Sequence, residues 1–410
     1  MKNEAMKIAP AAVLAGAAAL MSPSGSSAQV NLFSEDFENL TPVLRQFVDE
    51  TPARTGNRTQ PWVGQGVWTH FMPLGWTRDD SGVPGQGARE WAGWSFANKD
   101  FWIAAANNQN RIQYTRGQNI VAIADPDEYD DYRGGIPGNA YYNVYMTTPD
   151  IYIGAVAPAS LRLIFDSSWR PEGFDDGSPQ DNNQTAIIRA SYDGGQTWTE
   201  ILRWDSDVFS DFFKPDATNE NVSLVLNPPS GATTVRFEFA LILARNDWWW
   251  AIDNLRVTGN PVANARSISG TVTRADASGP FDARFVLTPT DGSGAITVFG
   301  KVAANGSFTV PAVPNKNYQV RVKAGNTLSR VVNANATAGN VTGLTIAPLL
   351  GGDANDDDSV DLFDLAALIE TFDADVNTDT YRPGPDFNAD GIVDLLDLAI
   401  LIGNFDQSGE

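Results

Sequence analysis

The hydrophobic pattern changes regime twice along the chain. Between residues 29 and 260, short apolar-rich stretches such as Leu161-Arg162-Leu163-Ile164-Phe165, Val222-Ser223-Leu224-Val225-Leu226 and Val235-Arg236-Phe237-Glu238-Phe239 have strand character. Alternation with period two puts successive side chains on opposite faces and predicts half-buried strands. Gly, Pro, Asn and Asp clusters separate them, for example Asp193-Gly194-Gly195, where the chain must turn. No helical period stands out in this region, so residues 29–260 are expected to form one large β domain.

After Gly259-Asn260-Pro261 the chain loses its tryptophans and becomes rich in Val, Thr and Ala. Short alternating segments recur at Ser267 to Val272, Arg284 to Leu287, Ser307 to Val310 and Tyr318 to Val322. This predicts a small β-sandwich of immunoglobulin-like size over 264–349. The opening Ser269-Gly270-Thr271-Val272 and the stretch Gly306-Ser307-Phe308-Thr309-Val310 resemble carboxypeptidase-regulatory-like modules, which implies a spacer.

From Gly351 onward the pattern changes again, and Arg382 is the one basic residue. Asp353-Ala354-Asn355-Asp356-Asp357-Asp358-Ser359-Val360-Asp361-Leu362-Phe363-Asp364 is echoed by Asp386-Phe387-Asn388-Ala389-Asp390-Gly391-Ile392-Val393-Asp394-Leu395-Leu396-Asp397. In each copy an oxygen-bearing side chain stands at positions 1, 3, 5, 9 and 12, and position 7 (Ser359 or Ile392) can lend its carbonyl. Calcium (Ca2+) is a hard ion taking six to eight oxygens, and this spacing wraps a loop around it. The predicted ligands are Asp353, Asn355, Asp357, Ser359, Asp361 and Asp364, then Asp386, Asn388, Asp390, Ile392, Asp394 and Asp397. Each loop runs into an apolar segment of helical spacing, Leu365 to Phe372 and Leu398 to Phe405. Neither helix could bury its apolar face alone, so the two are expected to pack together.

Duplicated calcium loops with exit helices resemble the type I dockerins, over residues 351–410. The resemblance implies a cohesin-type protein partner. Two departures stand out. Asp358 replaces the glycine usual at position 6, which makes the first loop the expected weaker site. Apolar Leu362-Phe363 and Leu395-Leu396 stand at positions 10 and 11, where many dockerins carry a polar recognition pair.

Phe33-Ser34-Glu35-Asp36-Phe37-Glu38 and Trp248-Trp249-Trp250-Ala251-Ile252-Asp253-Asn254-Leu255 frame the first region. With Pro73-Leu74-Gly75-Trp76 and Ser191-Tyr192-Asp193-Gly194-Gly195-Gln196-Thr197-Trp198, they resemble jelly-roll domains of the concanavalin-like and cleaved-adhesin type. The resemblance implies pairing of first and last strands and a structural calcium, with Glu38 and Asp253 as ligands. The acidic turn Asp125 to Asp131 reads as a solvated loop or a further cation site. Trp91, Trp94, Trp102, Trp169 and Trp248 to Trp250 are candidates for stacking on sugar faces, although some of 248–250 must be core.

Composition narrows the chemistry. There is no cysteine and a single histidine, His70, read as a satisfied half-buried residue. Disulfides and multi-histidine zinc sites are thereby excluded. No closely spaced carboxylate strand motif of a glycosidase is present, so no catalytic residue is assigned. A net charge of −22 argues against nucleic acid and anionic membranes as partners. Lys2, Lys7, the apolar run Ile8 to Met21 and Ser26-Ser27-Ala28 read as a secretory signal over 1–28, with no membrane span after its cleavage. The whole suggests a mostly β, secreted or cell-surface bacterial protein of the binding or adhesion kind. It would recognise a glycan or surface protein; the alternative is an extracellular polysaccharide hydrolase carried by its dockerin.

Overall fold

The computed structural model describes residues 28–49, 65–105, 109–174 and 182–410. All but the last residue of the 1–28 signal segment lies outside them. Over the first 260 residues the strands are β1 (Val30–Glu35), β2 (Trp68–Thr69), β3 (Thr77–Gly82), β4 (Ser95–Asn98), β5 (Ile120–Ala124), β6 (Tyr142–Thr147), β7 (Ile151–Tyr152) and β8 (Arg162–Trp169). They continue with β9 (Gly173–Phe174), β10 (Asn182–Asn183), β11 (Thr185–Ser191), β12 (Thr199–Asp205), β13 (Ala217–Val225), β14 (Thr234–Ala244) and β15 (Trp250–Gly259). Two short helices, α1 (Lys99–Ala105) and α2 (Pro126–Asp130), interrupt them.

Most of these strands make two antiparallel sheets, ordered β13-β8-β15-β5-β4-β2 and β12-β11-β14-β6-β3, while β9 and β10 pair as a separate two-stranded ladder. Facing side chains fill the space between them. Phe165 of β8 meets Phe239 of β14 edge-on at 5.8 Å, and Trp250 reaches Phe239 at 6.0 Å and Trp204 of β12 at 6.0 Å. Strand β1 runs antiparallel to the second half of β15, while β5 takes its first half.

The next strands are β16 (Arg266–Thr271), β17 (Phe281–Pro289), β18 (Ile296–Val302), β19 (Ser307–Val313), β20 (Asn317–Lys323), β21 (Arg330–Asn335) and β22 (Val341–Thr345). They form the sheets β19-β16-β22 and β18-β17-β20-β21 around a core of Ile268, Phe285, Val298, Val310, Val320 and their neighbours. Alternate burial along β17 and β20 matches the period-two pattern of their sequences.

Helices α3 (Leu362–Glu370) and α4 (Leu395–Gly403) close the chain's fold. Both start three residues before the apolar segments read from sequence. The reason is local: Asp361 and Asp394 cap the helices, and Asp364 and Asp397 bond back to the capping residues' N–H groups. Leu368 and Leu401 are fully buried between the helices, with Val360, Val393, Phe387 and Tyr381. Leu328 of the small sandwich belongs to the same cluster. The helical pair therefore does not close its core by itself.

Candidate calcium and docking site

The two acidic loops have nearly the same hydrogen bonds. Asp353 Oδ1 accepts from Asp357 N at 3.1 Å and Oδ2 from Asp358 N at 2.8 Å. Asp386 does the same with Asp390 N at 3.2 Å and Gly391 N at 2.9 Å. Asn355 and Asn388 each accept from position 5 at 3.0 Å, and Asp357 and Asp390 each accept from position 7 at 3.0 Å. Asp364 takes Ala354 N and Asp361 N, and Asp397 takes Phe387 N and Asp394 N. The turns need left-handed backbone at position 4 (Asp356 φ 64°, Ala389 φ 57°) and position 6 (Asp358 φ 71°, Gly391 φ 87°).

The loops also interlock. Val360, at position 8, exchanges backbone bonds with Asp406 and Gln407 beyond α4, while Val393 bonds to Asp373 and Ala374 beyond α3. Each repeat thus holds the segment that leaves the other repeat's helix.

Charge is concentrated here without matching cations in the second loop. Burial pushes Asp386 up to about 6 and raises Asp397. Burial also raises Asp353, against the opposing pull of Lys323. Among the described residues no three His, Cys, Asp or Glu side chains are already drawn together around an ion position. In kind and order, however, the donors fit calcium: they are hard oxygens on a tight loop, and the carboxylates at positions 1 and 12 of each loop are buried.

Glu38 and Asp253 also share a neighbourhood. Strand β15 shifts register between Asp253 and Arg256, and Asn254 has φ 52°. Such a bulge re-aims a side chain. Asp253 is fully buried, accepting from Gln118 N at 2.8 Å, and Glu38 accepts from Ile120 N at 3.4 Å. Burial pushes Asp253 up to about 8, and Glu38 and Asp36 push it the same way.

Several sequence expectations change. Trp91, Trp94, Trp102, Trp169, Trp249 and Trp250 are all fully buried, so these rings are core and not a sugar platform; only Trp248 of that set is part-exposed. Glu90, beside Trp91, is buried as well and accepts from Asp49 N at 3.0 Å. The acidic turn is helix α2, capped by Asp125, whose other oxygen takes Trp102 Nε1 and the buried Arg111, each at 2.7 Å. His70 bonds the Glu90 backbone, but its Nε2 is buried without a partner, and burial holds the ring neutral.

Sequence reasoning missed one surface feature. The β12–β13 connection exposes Val208, Phe209, Phe212 and Phe213. The signal was present in Val208-Phe209-Ser210-Asp211-Phe212-Phe213, an apolar run inside a turn-rich acidic stretch.

The exposed residues of the helical pair are equally ordered. Leu362, Phe363 and Ile369 are 69, 72 and 64% exposed; Leu395, Leu396 and Ile402, their counterparts, are 69, 59 and 62% exposed. The described chain is mostly β, and residues 353–403 carry two interlocked acidic loop–helix repeats. Residues 351–406 match the family model of the dockerin type I domain, and the chain carries that domain. No curated protein matches the chain.

Among solved structures, an interface mutant of a type II cohesin–X-dockerin complex from Acetivibrio cellulolyticus is similar at 20% identity and TM-score 0.28. It covers 35% of this chain and 97% of that one. The K3 cleaved adhesin domain of the Porphyromonas gingivalis Lys-gingipain is similar at 14% identity and TM-score 0.28, covering 56% and 99%. TmCBM61 in complex with β-1,4-galactotriose is similar at 10% identity and TM-score 0.24, covering 45% and 88%. Likenesses at this level say nothing of function. No helix among the described residues is long and apolar enough to cross a membrane.

Proposed function

We propose that this is an exported bacterial protein of the extracellular space or cell surface that docks, with calcium, to a cohesin-type partner. The observation that carries the reading is the repeated exposed apolar set, Leu362, Phe363 and Ile369 with Leu395, Leu396 and Ile402, on a dockerin type I domain. Leaving such a side chain in water forgoes about 1.5–3 kcal/mol of burial each, which a partner surface can recover. Calcium ions in the two loops, held by Asp353, Asn355, Asp357, the Ser359 carbonyl, Asp361 and Asp364 and by Asp386, Asn388, Asp390, the Ile392 carbonyl, Asp394 and Asp397, would fix both helix starts. A further calcium at Glu38 and Asp253 would relieve the buried charge there. The jelly roll then presents its own binding surface, for glycan or protein, with the Phe209–Phe213 loop as its most exposed apolar feature among the described residues.

Binding of a cohesin panel to the chain and to a Phe363→Asp, Leu396→Asp double variant tests the docking face. Loss of binding with unchanged circular dichroism supports it; undiminished binding refutes it. One observation favours the hydrolase alternative. Burial pushes Asp127 up to about 7, in the range of a general acid, in the charge field of Glu172, which bonds the part-exposed Trp248. Reducing-sugar release that Asp127→Asn abolishes would support that alternative.

A further inference from the structure

The two calcium loops are alike internally but differ in what meets their first ligand. In the second loop, Asp386 Oδ2 accepts from the neutral Tyr381 hydroxyl at 2.7 Å, a contact inside the same module. In the first, Asp353 Oδ2 accepts from Lys323 Nζ at 2.6 Å, and Lys323 stands at the end of β20 in the neighbouring sandwich. The lysine is nearly buried, with its side chain 5% exposed, and it also pairs with Asp356. Arg284 lies 3.7 Å from Asp356, and Arg321 pairs with Asp358 at 2.6 Å. Three sandwich cations thus face loop one. Arg274 faces Asp386 from further off, and no ion pair between them is present.

We infer that Lys323 is a resident cation of the first loop, so that the sandwich holds this loop folded and makes it the weaker calcium site. The inference rests on the reading of the loops as calcium sites. Lys323 touches the carboxylate that would supply the ion's first ligand. A divalent ion on that carboxylate would lie roughly 6 Å from the ammonium, and repulsion even at the dielectric of water weakens binding about tenfold. By linkage, calcium in loop one loosens the sandwich–dockerin joint by the same factor. The module then has one half that responds to calcium and one half set by its neighbour.

The test is calorimetric calcium titration of the full chain, its Lys323→Met and Lys323→Arg variants, and Asp390→Ala to silence loop two. The expected result is two sites at least tenfold apart, the weaker one surviving Asp390→Ala. Lys323→Met should tighten the weaker site about tenfold or more and leave the tighter one unchanged, while Lys323→Arg keeps the gap. Equal affinities in the unaltered chain, or a weak site indifferent to Lys323→Met, would overturn the inference. Should Lys323→Met not fold, the gap in the unaltered chain and its persistence in Lys323→Arg decide the matter. Absence of calcium binding at loop two would instead remove the metal reading itself, and this inference with it.

Discussion

Restoring glycine at position 6 of the first loop should destabilise the protein, although glycine suits that backbone better. Asp358 has φ 71°, where a non-glycine residue loses up to about 1–2 kcal/mol, less for Asp, so Asp358→Gly gains at most about 1 kcal/mol there. Against this stands what its carboxylate does. It accepts from Ser329 N at 2.8 Å, Ser329 Oγ at 2.7 Å and Arg321 Nη2 at 2.6 Å. Ser329 is fully buried, and its hydroxyl would keep Arg321 Nε as a partner while its N–H would be orphaned. An orphaned buried N–H costs about 1–3 kcal/mol, and the part-exposed Arg321 pair adds about 0–1 kcal/mol. The net loss expected is about 1–2 kcal/mol. Urea denaturation with excess chelator, followed by tryptophan fluorescence and far-ultraviolet circular dichroism, measures it. A variant as stable as the parent, or more so, would refute the reasoning, because Asp358 would then be a poor glycine substitute and not a pin between modules.

Asp390→Ala should reduce the calcium-dependent gain of helix more than Asp357→Ala, since loop one has Lys323 as well; equal losses on a circular dichroism titration would contradict this. Asp247 is fully buried, and burial pushes it up to about 7, with Glu172 and Asp127 adding to the effect. The folded state therefore holds a proton that the unfolded chain releases near pH 4, and stability falls as pH rises towards 7, by about 2–3 kcal/mol between pH 5 and 8. Asp247→Asn should flatten that slope in chemical denaturation at several pH values; an unchanged slope would assign it elsewhere.

How legible the protein was varies with the range of the interactions involved. The acidic loops could be read because their pattern is local: the acidic side chains, helix caps and turn glycine all lie within twelve residues. The strands of the small sandwich were equally plain, since alternation in Phe281 to Pro289 and Asn317 to Lys323 is set by one buried face. Tryptophan placement was not legible. Trp102 and Trp249 meet edge to face beside Arg111 because distant segments come together, and ring 249 lies 4.3 Å from its guanidinium. A sequence shows a surplus of aromatics but not which layer receives them. The second role of Asp358 was not legible for the same reason. Its partners Arg321 and Ser329 lie some thirty residues away on another module.

Calorimetric titration of cohesins into the chain, with calcium and again with excess chelator, tests the central claim most directly. The account predicts saturable binding with calcium that is lost on chelation and restored by adding calcium back. Binding that persists in chelator, or no binding to any cohesin under either condition, would contradict it.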